Sequence, residues 1–519
     1  MAEGHVARSG LDRSQREERT RHLAISIGLF LLTFAIYWYL GPQETPYSHQ
    51  VSQANNLIHG HLDFVPEHSK NLNTLERVMY DGEGFCFQPG DPEAEKVTGA
   101  RFSEDCQIFM QHALGPALMV IPGVVVWGNG LNQTLVSVLI GALTAPIIFA
   151  IARQYSSKLL NQLTFTILML FGTVFWWVAS NGGVWFFAHT VSVFFMFGAI
   201  YFTVRRPIPL LAGLCFSASV FSRPTVLLAG LFFVIMFSSR WWKAEGRNLL
   251  DRIDWPTVYQ FALGAAPLAL IMLTLNYLRF DSPFESGYGY TEQLYQGSLQ
   301  GVYNHGLFDL SYIQRHPPVF LEQMPIFQDS GPYILPSWFG MAIWVTTPVF
   351  LYAYFTNIKE HRAVCIPAAI ALGVAALVIL SRGLARLWDG SWETSDIPFG
   401  VHLLPFWSLA FVGMAAGVIV PRLKGADWDR LVVACWAAII PTTLFVFTFA
   451  ATGWAQFGYR YGLDITPFLW LLVIRTIGDQ LKWHHIALIL IGVAVNLMGV
   501  LWIYQFEPAH TNGWAWVMF

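Results

Sequence analysis

The sequence predicts an all-α integral membrane protein, with about 13 transmembrane helices and a large first extracytoplasmic loop that carries interfacial helices. Three observations predict it. Of 519 residues, 55% are apolar and only 12% charged, about half the charge of an ordinary soluble domain. The apolar residues fall in runs near the ~20 residues that cross a bilayer. The polar residues gather in loops that are long on one side of those runs and short on the other. The mean hydropathy of +0.46 agrees. Together these exclude a disordered chain, a disulfide scaffold, a coiled coil and most soluble enzymes.

The first 22 residues are polar and carry Arg8, Arg13, Arg16, Arg19 and Arg21. They precede the apolar run Leu23–Leu40, which exceeds a signal-peptide core and is followed by GPQETPY rather than a small-residue cleavage site. That run reads as an uncleaved first span with a cytoplasmic N-terminus. The polytopic domain then covers 23–505, with external loops at 41–130 and 279–336 and an extracytoplasmic tail at 506–519. Twelve later runs centre near 131–152, 162–180, 187–204, 208–222, 224–239, 256–278, 337–356, 363–381, 399–420, 431–452, 464–481 and 484–505. The run 113–128 is short and holds Gly115, Pro116, Pro122 and Gly123, so it reads as an interfacial helix. Whether it crosses the membrane sets the orientation of everything downstream.

Basic residues arbitrate. With 13 spans, 20 of the 30 Lys and Arg lie on the cytoplasmic side, as the positive-inside rule requires. The near-neutral net charge of −3 then divides into +9 inside and −12 outside. The pairs Trp176–Trp177, Trp241–Trp242 and Trp514–Trp516 sit near span ends and read as interfacial belts. Cys215, Cys365 and Cys435 fall in spans and read as small core residues. Cys86 and Cys106 share the first external loop, where an oxidising compartment favours a disulfide. No CxxC or HxxxH accompanies them, so zinc is a poor reading.

Charges in or beside apolar spans are costly and are candidate site residues. Arg460 and Asp464, in GWAQFGYRYGLDITPF, are spaced to pair on one α-helical face, either as a structural ion pair or as a phosphate grip. Tyr459 is their neighbour. Arg223, Arg279 and Arg382 also sit at external span ends, each an anchor alone and a cationic pocket if they converge. His189, in NGGVWFFAH, is open to two readings, a ligand contact or a hydrogen-bonded structural residue. In the first loop, Glu44, Glu76 and Asp81 are candidate general bases for an acceptor hydroxyl. No P-loop, GxGxxG, GxSxG or HExxH is present.

This plan resembles the GT-C superfamily of integral-membrane glycosyltransferases, which includes protein O-mannosyltransferases and aminoarabinose transferases of lipid A. The likeness covers Leu23 to about Trp502. Its local carriers, in order, are QANNLIHGHLDF, HALGPALMVIPGVVVWG, NGGVWFFAHT, LAGLCFSASVFSRPT, NYLRFDSPFESGY, PYILPSWFGMAIWVTTP and QFGYRYGLDITPF. They are similar to a poorly characterised bacterial branch. The resemblance implies inverting transfer of a sugar from a polyprenyl-phosphate donor to an extracytoplasmic lipid, glycan or protein, at the cell membrane. It implies that arginines such as Arg279 and Arg460 hold the lipid phosphate, and it implies no nucleic-acid partner. The family's usual base is an acidic residue soon after the first span, often paired. Here Glu44 stands alone between Gln43 and Thr45, with Glu76 and Asp81 as alternatives. Some members require a divalent cation, for which the sequence offers no clear ligand set. The competing readings are a transporter or flippase of lipid-linked sugars and a catalytically degenerate scaffold.

Overall fold

The computed structural model describes residues 2–70, 77–91, 94–95, 99–237, 254–290, 305–327, 333–337, 339–355, 429–453 and 456–502. These are mostly helical. The long helices are α1 (Ala2–Leu40), α4 (Gln133–Tyr155), α7 (Val184–Ile200), α10 (Trp255–Phe280), α11 (Arg430–Phe447) and α13 (Trp483–Leu501). Between them lie α2 (His49–Ile58), α3 (Gly115–Trp127), α5 (Leu159–Phe171), α6 (Phe175–Asn181), α8 (Pro209–Ser222), α9 (Gly230–Phe237) and α12 (Thr466–Ile477). A hairpin, β1 (Arg77–Tyr80) with β2 (Gln107–Met110), pairs antiparallel from Arg77↔Met110 to Tyr80↔Gln107.

Six helices are long and apolar enough to cross a membrane, or seven if α5 and α6, bent by 55°, form one broken span. Their outer faces are apolar rather than polar: only 6% of the apolar window of α10 is buried. A water-soluble helix of that composition would have to hide one stripe. The chain is therefore a multi-pass membrane protein by the character of its helices. The expected count of 13 goes beyond these six. The runs near 208–222 and 224–239 form α8 and the 3₁₀–α9 pair, each too short to span alone. The runs near 363–381 and 399–420, Cys365 and the tail 506–519 lie outside the described residues.

The main core lies among α1, α4, α5, α6 and α12. Tyr37 of α1 donates to the Leu170 carbonyl at 2.5 Å, and Trp470 of α12 to that of Phe165 at 2.8 Å. Trp176 and Trp177 belong to this core, at 3% and 1% exposure, and are not a belt. The bend after Phe171 turns α6 inward and carries both rings with it. The other tryptophan pairs of the expected belt are outside the described residues. Close packing of α8 on α10 needs glycine: a Cβ on Gly213 would lie 1.9 Å from the Phe261 carbonyl oxygen, and one on Gly264 as near that of Leu210.

The first loop is built around α2, a polar helix buried from His49 to Asn56. Its first amides are capped by a residue 83 positions away, where Gln133 Oε1 accepts from Gln50 N at 3.1 Å and Val51 N at 3.3 Å. The Gln133 amide donates to the Gly182 carbonyl at 2.7 Å. One side chain thus staples the loop to the α6–α7 turn. Farther out, Cys86 and Cys106 form the expected disulfide, with Cα atoms 6.0 Å apart. Cys435 is buried and Cys215 half-buried, as core residues would be.

Because the disulfide closes a 20-residue loop, replacing both cysteines by alanine is expected to cost the hairpin about 3 kcal/mol. Limited proteolysis between residues 77 and 110 checks it, and cleavage unchanged from wild type would refute the estimate.

Candidate functional site

Five of the charged or polar residues singled out in the sequence meet in one place. Arg223 follows the last turn of α8 on an extended backbone (φ −145°) that turns its side chain away from the helix. It grips Asp464 at two points, Nε to Oδ1 at 2.8 Å and Nη2 to Oδ2 at 3.0 Å. Thr225 donates its hydroxyl to Oδ2 at 2.6 Å. Asp464 is 3% exposed, so the guanidinium and the hydroxyl replace the water that such a carboxylate loses.

The expected Arg460–Asp464 pair does not form, for a geometric reason. Residues 460–464 are a 3₁₀ helix. At three residues per turn, positions four apart point ~120° away from each other. Asp464 turns to Arg223, and Arg460 to aromatic rings: its guanidinium lies 5.3 Å from the centre of Phe186 and 5.1 Å from that of Tyr461. The same Tyr461 ring lies 5.7 Å from the Arg223 guanidinium, so one ring faces two cations. Gly458 enters this turn at φ +67° and packs where a Cβ would meet Val174 at 2.5 Å.

His189, one and a half turns into α7, completes the group. It is 1% exposed, neither ring nitrogen has a hydrogen bond, and Nδ1 stands 3.6 Å from Asp464 Oδ1. Its reading as a hydrogen-bonded structural histidine has no support in that geometry. Beneath it, the Ser192 and Ser219 hydroxyls meet at 2.8 Å and tie α7 to α8.

Tyr459 joins the group to the segment after α10. Its hydroxyl is 2.7 Å from His316 Nδ1, and His316 Nε2 is 2.7 Å from the Phe449 carbonyl. A carbonyl only accepts, so Nε2 carries the proton and Nδ1 accepts from Tyr459. Burial pushes the His316 imidazole down to about 4, partly offset by its bond to the Phe449 carbonyl.

The other candidates lie elsewhere. The Arg279 Nη2 donates to the Met110 carbonyl, with the guanidinium 4.6 Å from the centre of Phe280, and so ties α10 to the hairpin. Asp81 bonds Arg101 at 2.5 Å. That hydrogen bond, with one from the Glu83 amide, holds its carboxyl at about 2. Glu44 is exposed on the link between α1 and α2. Glu76 and Arg382 lie outside the described residues. Among the described residues no three His, Cys, Asp or Glu side chains are placed to hold a metal ion.

Sequence reasoning missed four contributors. Thr225 and Tyr461 had a signal, lying within two residues of singled-out charges. His316 and Gln133 had none, because each acts on a partner more than 80 residues away. Compared with known protein families, curated proteins and solved structures, the chain matches none.

Two measurements test the site. Asp464→Asn leaves Arg223 buried without its counter-charge and is expected to cost about 3 kcal/mol, against ~1 kcal/mol for Thr225→Val. Equal melting temperatures for the two variants in detergent would contradict this. For His316 the native pKa is depressed below the unfolded value. Stability is therefore full above pH ~6.5 and falls as the unfolded state takes up protons between there and about 4. His316→Gln is expected to flatten that dependence, read as melting temperature against pH.

Proposed function

We propose that this chain is a glycosyltransferase of the GT-C type, moving a sugar from a polyprenyl-phosphate donor to an extracytoplasmic acceptor. The reading includes 13 spans in the cell membrane, a cytoplasmic N-terminus and an extracytoplasmic C-terminus. One observation carries it. Arg223, Asp464, His189, Arg460 and Tyr459 converge from three parts of the chain. Scattered, these residues would be interfacial anchors. Converged, they are a buried polar centre that a membrane protein keeps for a purpose.

In this reading an acceptor hydroxyl gives its proton to a carboxylate and attacks the anomeric carbon. The bond from that carbon to the phosphate oxygen breaks, and the electron pair leaves on the lipid phosphate. Arg460, its guanidinium 5.3 Å from the centre of Phe186 and 5.1 Å from that of Tyr461, brings positive charge to that growing negative charge. Arg223, held by Asp464 and Thr225, sets the position of the Tyr461 ring and supplies a second positive field.

Position favours Glu44 as the base. The Tyr47 carbonyl accepts from Val184 N at 3.0 Å, and Asn132 holds the Gln43 carbonyl at 2.8 Å. Its segment therefore abuts the start of α7, the helix that carries Phe186 and His189. Asp81, held at about 2 by Arg101, is a weak base. A degenerate scaffold is the second reading, favoured by α2: its buried positions hold the amides Gln50 and Gln53 and no carboxylate.

The test is sugar transfer from radiolabelled polyprenyl-phosphate donors by the full chain in proteoliposomes. Transfer is expected, lowered ~100-fold or more by Glu44→Gln and at least tenfold by Arg460→Gln. Donor crossing the bilayer without transfer would instead mark a flippase. No transfer from any donor, with wild type and Glu44→Gln alike, would leave the scaffold reading.

A further inference from the structure

The end of the bundle opposite α2 carries a second cationic group that the proposed reaction does not use. Three helix ends meet there: the start of the apolar part of α1, the C-terminus of α4, and the π-turn Tyr201–Arg205 that ends α7. The π-turn closes through the Arg206 amide on the Tyr201 carbonyl at 3.0 Å. Such a turn displaces the residues after it from the path of the α-helix, and here it carries Arg205 to α4, where Nη1 donates to Gln154 Oε1 at 3.2 Å. Next to Gln154, Arg153 reaches Glu18 of α1 at 3.8 Å. Arg21 and Arg205 both lie near enough for their charges to act on Arg153.

Arg153 thus contacts the carboxylate of Glu18, with Arg21 one turn farther along α1 and Arg205 beside Gln154 at the same end of α4. That carboxylate is shared with His22 at 3.1 Å. Arg21 and Arg205 are exposed, and the Arg153 side chain is 24% exposed. The one carboxylate of Glu18 balances one of these three positive charges, and the excess favours an added anion. Beside the arginines, α1 turns to the outside a face with no polar group: Leu23, Ile27, Leu31 and Leu32 are each about half exposed or more. Charge above and bare hydrocarbon below are the two ends of a lipid.

We propose that Arg21, Arg153 and Arg205 bind the phosphodiester headgroup of an anionic phospholipid whose acyl chains lie along α1. Planar donor forks suit a phosphodiester, and the helix ends put them at headgroup depth. A soluble phosphate would use the forks but leave the apolar face of α1 uncovered, so a lipid is the better fit. The site is independent of the glycosyltransferase reading.

The experiment uses the full chain in detergent, titrated with phosphatidylglycerol, phosphatidylcholine or inorganic phosphate, and followed by melting temperature and native mass spectrometry. Phosphatidylglycerol is expected to raise the melting temperature and to remain bound, with little effect from the other two. Each arginine removed is expected to weaken binding about fivefold, so Arg153→Gln with Arg205→Gln loses roughly 25-fold. Lysine at both positions keeps the charge without the planar fork and is expected to recover only part of the affinity. If the double variant does not fold, Arg205→Gln alone, at an exposed position, carries the test. Equal stabilisation by phosphatidylcholine, an equal shift with inorganic phosphate, or unchanged binding by the glutamine variants would each overturn the proposal.

Discussion

The buried ion pair between Arg223 and Asp464 is the constraint on which the centre of this protein depends. A carboxylate at 3% exposure in a chain this poor in charge is tolerable only with a full set of donors. Arg223 and Thr225 supply them from 241 and 239 residues away. Meeting that need joins the turn after α8 to the 3₁₀ segment before α12. The same join brings Tyr461 under two guanidinium groups and leaves His189 of α7 against the carboxylate. The site follows from the requirement that one charge be satisfied.

A second long-range device orders the loop after α1. The link after α1 enters a helix, α2, whose own N-cap Ser48 makes no capping hydrogen bond. Gln133 does that work from α4 and at the same time holds the Gly182 carbonyl. Glu44 is therefore carried on a segment pinned at both ends, beside the start of α7. Polar side chains at the bundle end fix this loop together with apolar packing, since Val51 and Ala54 of α2 are buried against residues of α3, α4 and α7.

Much was legible in advance. The membrane character, the helical content, the six long apolar helices and the Cys86–Cys106 bridge follow from composition, run length and compartment. So did five members of the central group, since a charge beside an apolar run is conspicuous one residue at a time. The errors have a common source. α-Helical spacing pairs Arg460 with Asp464, but the backbone there is 3₁₀. Composition puts Trp176 and Trp177 at the interface, but a 55° bend turns them into the core. Arg279 has the look of a phosphate ligand and is spent on a carbonyl and two aromatic rings.

By itself, the sequence determined the solvent this protein lives in and which residues were too polar to be there by chance. Hydropathy is a local, nearly additive property, so a run of apolar residues declares itself without reference to its neighbours. The tertiary structure alone decided which charge answers which. Asp464 lies four residues from one arginine and 241 from another, and it chose the distant one because backbone direction, not sequence distance, sets where a carboxylate points.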